Sequence, residues 1–468
     1  MFKKLALVTK IILIFSIILT FTACATYYMK SSEFQNYISQ GNYEKADKWL
    51  ENDTYGQKNK NILLHKLNRG YVSWMLNDYN KSNKYFGDAE ILIEDYINNN
   101  YLNALTLVSN PSIKPYKPED FEAVLVNYFM ALNYIKLHKF NDAIVECKRI
   151  NIKLQKLNDK YKDYKNKYQR DAFAHTLMGI IYEADKDYNN AFIAYRNALE
   201  VYETDYKKYF NMSVPTQLKY DILRTATLIG FNDEVNFYEK KFNIKYHYEA
   251  PKNGELIFFW LNGFGPVKGE NSINFTKIPN SKSGYITLVN EENNLSFPIY
   301  IGNKSIKEKK AFNELRFFRV AFPKYVERKP YYTKAEIFNT NKSYKLELVE
   351  DINGIAFKSL KDRMAREMGS AILRLATKKA LEAIADNQDA TLGMLVNIIN
   401  TVTEKTDTRN WQTLPYSISY ARIPLNSGNN NIKLRTYSPN GANEQLFTFE
   451  GKKGKTYFQT FHSTAAKY

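Results

Sequence analysis

Apolar positions recur at helical spacing through the first half of the chain and in short, strand-like runs through the second. The helical half carries one pattern several times. Gly70 is followed by Ser82, Phe86 and Ala89; Ala131 by Ala143, Cys147 and Ile150; Gly179 by Ala191, Tyr195 and Ala198. A partial copy, Gly41 to Ala46 with Leu50, comes earlier, and a degenerate unit runs from about Gln217 to Phe242. This spacing predicts helical hairpins. The small residue lets two antiparallel helices approach. Asp78-Tyr79, Lys139-Phe140 and Asp187-Tyr188 form the turn and start the second helix, and the large residue fills the gap between neighbouring hairpins. Cys147 takes that large-residue position and reads as a buried small apolar group.

The Ala/Ser anchors fall at 46, 82, 143 and 191, so the units are unevenly spaced and insertions must separate them. Pro111 to Pro118 is a loop by its prolines, and the charged run Leu154 to Tyr168 reads as lengthened hairpin helices. The expected result is an irregular α-solenoid over 33–245. The repeat resembles the tetratricopeptide unit, most clearly from Gly179 to Ala198. Tetratricopeptide geometry implies that Tyr71, Trp74, Tyr128, Lys136, Thr176 and Glu183 lie on the inner, concave face, as candidate contacts for a protein partner.

Near Pro251 the pattern changes. Glu255 to Leu261 is a compact apolar run bounded by Gly254 and Asn262-Gly263, a buried strand. Further strands are expected at Ser272–Phe275, Tyr285–Val289, Phe297–Ile301, Leu315–Ala321 and Lys345–Val349. After them Ser417–Pro424, Asn431–Tyr437, Glu444–Phe449 and Thr456–Phe461 continue the series. Between the two groups, Phe357, Leu360, Met364, Met368, Ile372 and Leu375 mark a helical insertion over 355–405. The whole is an α+β multidomain chain: a solenoid, then a β-sandwich-like domain in two parts, 251–350 and 406–468, around that insertion.

The start of the chain adds an address. Lys3, Lys4 and Lys10 precede an apolar run from Ile11 to Phe21, and Thr22-Ala23-Cys24 closes it. This resembles the signal peptide and lipobox of a bacterial lipoprotein: residues 1–23 removed, Cys24 acylated, and 24–32 a short tether. Ala25 and Thr26 follow, with no Asp to retain the lipid at an inner membrane, so an outer-membrane, periplasm-facing or surface location is expected. With Cys24 acylated only Cys147 remains, and no intramolecular disulfide can form. The chain carries 66 Lys+Arg against 49 Asp+Glu, a net +17. Export argues against nucleic acid as the reason for that excess, and dispersed lysines point to a solvated surface.

Several segments resemble one little-characterised family of bacterial envelope lipoproteins with tetratricopeptide-like repeats and a β-rich C-terminal region. They are Pro115-Tyr116 through Phe121-Glu122, Ala131–Tyr134, Val145–Asn151, Gly179–Ala198, Gly265–Lys268 and Thr406–Pro415. The resemblance implies a lipidated envelope protein and carries no known reaction. Within the last segment, Asp407, Arg409 and Trp411 have two readings. One is a structural corner, with Asp407 capping amides, Arg409 paired to it and Trp411 plugging the core. The other is a site that stacks and hydrogen-bonds a sugar or peptide.

Catalytic signatures do not accumulate. The five histidines are scattered without metal-ligand spacing. Gly451 to Thr456 looks like the tail of a phosphate-binding loop, but Phe449 stands where its first glycine belongs, so it reads as a hairpin turn. No cofactor, metal or enzymatic activity is expected. The sequence reading is a membrane-anchored scaffold that docks an envelope protein partner. The alternative is a cell-wall carbohydrate binder or hydrolase using the β-domain.

Overall fold

The computed structural model describes residues 27–98, 114–159, 166–278, 284–292, 295–306, 309–310, 317–340, 342–364, 368 and 406–465. The leader with Cys24, Pro111 to Ile113, and most of the expected helical insertion lie outside the described residues. Ten helices pair into hairpins: α1 (Ser32–Ser39) with α2 (Tyr43–Asn52), α3 (Ile62–Met75) with α4 (Tyr79–Asn98), α5 (Asp120–Lys136) with α6 (Phe140–Asp159), α7 (Ala172–Ala184) with α8 (Tyr188–Val201), and α9 (Thr216–Leu228) with α10 (Asn232–Phe242).

One joint makes all five hairpins. Gly41, Asn77, His138, Lys186 and Gly230 each take a left-handed backbone conformation between the paired helices. The amide after each then reaches back to a carbonyl five residues earlier: Asp78 N to Ser73 O at 2.9 Å, Asp187 N to Tyr182 O at 2.8 Å, Phe231 N to Ala226 O at 2.9 Å. This is the Schellman closure, which satisfies carbonyls left over at a helix end. Asp187 then caps α8, accepting from Asn190 N at 3.1 Å.

The small residues do what close approach requires, but the large residues act partly inside their own hairpin. A Cβ on Gly70 would sit 2.6 Å from the Phe86 ring, and one on Gly179 would sit 2.4 Å from the Tyr195 ring. Each ring therefore fills the notch left by the glycine of its own hairpin. Phe86 also stacks on Phe129 of the next hairpin, at 5.7 Å between centroids. Of the charged run after Leu154, the described helix covers Leu154 to Asp159, and Tyr168 is buried in irregular chain.

Among the described residues, the strand half holds three four-stranded sheets. The first has the order β12 (Thr456–Ser463), β1 (Glu255–Asn262), β9 (Ser417–Pro424), β8 (Glu347–Glu350). The second has β11 (Gly441–Gly451), β10 (Gly428–Ser438), β6 (Lys334–Asn339), β7 (Lys342–Lys345). The third has β4 (Leu295–Tyr300), β3 (Tyr285–Asn290), β2 (Val267–Ile278), β5 (Phe317–Val326). β1 and β12 run parallel, and the other pairings are antiparallel. The sequence reading passed over β6, and it joined β7 and β8 into one strand, which the chain breaks at Leu346.

β1 explains how the halves join. Successive side chains of a strand point to opposite faces, and β1 is apolar on both. Leu256, Phe258 and Trp260 face the second sheet, in a cluster with Ile337, Ile423, Ile432 and Leu434. Ile257, Phe259 and Leu261 face the helices and belong to one apolar core that runs from Phe34 to Tyr420. Burying three such side chains contributes roughly 5–9 kcal/mol as an upper bound. The change of secondary structure near 250 is thus no boundary between separate cores. A helix over 352–364 adds Ile352, Ile355, Ala356 and Leu360 to the same core, so the described start of the insertion packs within the chain.

Candidate functional site

Of the six residues expected on the concave face, Tyr71, Lys136 and Glu183 meet strands of the chain's own first sheet. Tyr71 is buried, its hydroxyl 2.7 Å from His462 Nδ1 on β12. His462 Nε2 is 2.7 Å from the Gly263 carbonyl. A carbonyl only accepts, so Nε2 carries the proton and Nδ1 accepts from Tyr71. Burial pulls this imidazole down to about 4, with the Gly263 bond partly opposing. Trp74 packs edge-on to Phe129 at 5.1 Å, and Tyr128 sits 5.4 Å from Phe173. Thr176 turns its hydroxyl to its own helix, at Ala172 O, 2.9 Å. Lys136 donates to the Phe458 carbonyl at 2.9 Å and to Gln459 Oε1 at 3.3 Å, both on β12. The chain's own strands take up much of this face, while Trp74 and Lys136 line an open groove. A strand with two apolar faces needs two covers, and the solenoid is the second.

Glu183 anchors a buried ionic network across this seam. Arg224 on α9 binds it through two nitrogens, at 2.6 and 2.8 Å. Arg422 on β9 reaches it at 2.7 Å and Glu255 on β1 at 2.5 Å. Arg224 also pairs with Asp221 at 2.6 Å. Burial alone pushes the Glu183 carboxyl up, but Arg224 and Arg422 outweigh it and hold the group at about 2. Nearby, the Tyr206 hydroxyl bonds Glu350 of β8 at 3.0 Å, and Tyr202 bonds the Val349 carbonyl at 2.7 Å. Burial, followed by the charge of Asp171, pushes Glu350 well above the usual carboxylate range.

A second network joins the start of α5 to the strand half. Glu119 and Glu122 form a capping box on α5. Glu119 is paired with Lys268 of β2 at 2.5 Å and with Arg363 of the 352–364 helix at 2.5 Å. Burial raises its carboxyl, yet these two cations bring it down to about 2. Glu122 accepts from the Trp411 amide at 2.7 Å and from the Tyr116 hydroxyl. Burial first, and Glu119 second, raise it to about 7.

Asp407, Arg409 and Trp411 sit beside this network. Arg409 binds Asp407 at 2.6 Å and donates to the carbonyls of Lys60 at 2.7 Å and Lys114 at 2.9 Å. It clips the strand half to two helical loops. Trp411 is 1 % exposed, with Phe86 at 5.8 Å and Phe129 at 5.7 Å, so its ring offers no open stacking face.

One open feature of the seam is a groove of about 420 Å³. Its helical wall comes from hairpin joints, with Tyr43, Trp74, Asn77 and Tyr79. Its other wall is β12, from Gln459 to Ser463, with Asn443 and Gln445 of β11 and Tyr332. Lys136 is the cation at its edge, and none of the lining residues described is Asp or Glu. Burial lowers Lys136 to about 8. Sequence reasoning had not found this groove, because β11, β12 and the joints meet only in the folded chain. Among the described residues, no group of three or more His, Cys, Asp or Glu is arranged to hold a metal ion, and no helix is long and apolar enough to cross a membrane.

No family model matches the chain, and no curated protein matches it. Among solved structures, MamA from Desulfovibrio magneticus RS-1 is 14% identical over 45% of this chain and 88% of its own, with a TM-score of 0.28. The apo form of RapI is 16% identical over 46% of this chain and 65% of its own, with a TM-score of 0.30. BtubC from P. vanneervenii is 13% identical over 48% of this chain and 79% of its own, with a TM-score of 0.27. These are low similarities over part of the chain, and the functional reading rests on its own residues.

Proposed function

We propose that this protein is a lipid-anchored scaffold of the bacterial envelope, attached through Cys24, that docks a protein partner without chemical catalysis. The observation that carries this reading lies just after Cys24. Tyr27 N bonds Thr408 Oγ1 at 3.2 Å, and its hydroxyl accepts from Asn68 at 3.3 Å. Ser31 Oγ bonds Gln412 at 3.3 Å. Three residues span at most about 10 Å, so a lipid on Cys24 would hold the helical and strand halves together against the membrane. Thr408 and Gln412 thus put part of the strand half beside the first residues after the tether. The first two sheets, sharing one apolar cluster, support a β-sandwich body.

The alternative, a binder or hydrolase of cell-wall glycan, draws on the aromatic and amide groups of the groove rather than on the closed Trp411 corner. Growth with radiolabelled palmitate tests the anchor: label is expected in the natural chain and absent from Cys24→Ala. Crosslinking from washed membranes tests the scaffold, which fails if no specific protein is recovered.

A further inference from the structure

We propose that the groove between the helical and strand halves receives the C-terminal segment of a partner protein, added as an extra strand to β12 with its terminal carboxylate on Lys136. This deepens the scaffold reading and rests on it. β12 stands at the end of its sheet, so among the described residues one side of its backbone has no neighbouring strand. Which groups face outward follows from the pairing with β1. Glu255 N takes the Lys455 carbonyl and Gly263 N takes the Ser463 carbonyl, both at 3.0 Å. The odd-numbered residues of β12 therefore point to β1, and Phe458, Thr460 and His462 point their amides and carbonyls away from it. Outward groups of this kind repeat every second residue, roughly 6.8 Å apart. Another extended polypeptide matches that repeat, and a glycan does not.

Charge selects the kind of peptide. The groove presents one lysine and no described carboxylate, so its complement is a single negative charge. Lys136 sits beside Phe458, near the start of β12, and bonds only neutral acceptors there. A strand added antiparallel ends at that point, which brings its C-terminal carboxylate to the ammonium. Antiparallel pairing is the commoner arrangement. Lys136 now fills the place of a strand amide on the Phe458 carbonyl, as lysines guarding open edges do. Moving it to a carboxylate frees that carbonyl for the incoming backbone. Tyr43, Trp74 and Tyr332 then flank the side chains of the added strand.

The test uses the full chain carrying Cys24→Ala and randomised seven-residue peptides with free C-termini. Enriched peptides are expected to lose about tenfold or more in affinity when their C-terminus is amidated, and equally with Lys136→Met. Lys139→Met, outside the groove, leaves binding unchanged. The Thr460 amide becomes protected from hydrogen exchange on binding, a readout that needs no variant to fold. The proposal is overturned if no peptide is enriched, if binding survives amidation and Lys136→Met, or if wall oligosaccharides bind the groove in place of peptides. A membrane partner whose crosslinks map away from β12 would remove this assignment and leave the scaffold intact. Absence of palmitate label from the natural chain would remove the anchor and leave peptide binding intact.

Discussion

Arg422→Met tests whether the ionic network locks the helical half to the sheet. The Arg422 side chain is 8 % exposed and binds Glu183 at 2.7 Å and Glu255 at 2.5 Å, with Asp221 at 3.4 Å. Methionine keeps much of the volume and removes the charge. Breaking a buried pair from one side costs about 3–5 kcal/mol, because the partner charge is left without compensation. Glu183 provides a separate measure. Its carboxyl sits at about 2 instead of 4.5, and at 1.36 kcal/mol per tenfold change this is worth about 3 kcal/mol, shared between Arg224 and Arg422. A depressed carboxylate stabilises the fold fully above pH 4.5, and the contribution is lost as pH falls toward 2. The variant should therefore unfold in urea with about 3–5 kcal/mol less stability than the natural chain at pH 7. The gap should narrow below pH 4.5, where the abandoned carboxylates take up protons. Tryptophan fluorescence reports the transition, since Trp74 and Trp411 are buried near the seam. A gap under about 0.5 kcal/mol at pH 7, the scatter of ordinary surface substitutions, would refute the lock. So would a gap unchanged at pH 4.

Gly70→Ala and Gly179→Ala should each cost about 1–3 kcal/mol in urea unfolding, because their Cβ atoms meet rings. Gly87→Ala meets nothing within 4 Å and should gain up to about 1 kcal/mol from helix propensity; equal behaviour of all three would contradict the notch. His462, held at about 4, should show its imidazole titrating near that value by NMR. Its neutral form stabilises the fold fully above pH 6.5, and that support is lost as pH falls through 4; a titration between 6 and 7 would count against the buried Tyr71 bond. Tyr71→Phe should cost about 1 kcal/mol at pH 7, the usual net worth of such a bond.

The hairpins were legible because their determinants are local. Gly70, Ser82 and Phe86 lie within one turn-connected pair, and their spacing alone encodes the notch. β9 was read with its observed ends, Ser417 and Pro424, because its residues suit a buried strand and its neighbours break one. β6 was missed because Lys334 and Glu336 alternate with its few apolar residues, and Ile337 alone is large and fully buried. The filled concave face was half-visible. Glu255 to Leu261 is apolar at consecutive positions, which announces two covers but names neither. Pairings such as Tyr71 with His462, or Lys136 with Phe458, join residues hundreds of positions apart, and no local pattern carries them. Cys24, the strongest sequence feature, lies outside the described residues, and its lipid stays a proposal.

The parallel pairing of β1 with β12 governs when the molecule can become whole. Glu255 lies beside Thr456 and Asn262 beside Ser463, so the first strand of its half waits until Thr456 to Ser463 have been synthesised. The hairpins can form one by one as the chain emerges, since their contacts are local. Their inner surface then has only an incomplete sheet to cover it. Any truncation before residue 456 removes β12, with His462 and the Lys136 acceptor, and exposes the flank of β1. Closure is thus tied to β12: a chain not yet made through Ser463 keeps adhesive apolar surface uncovered.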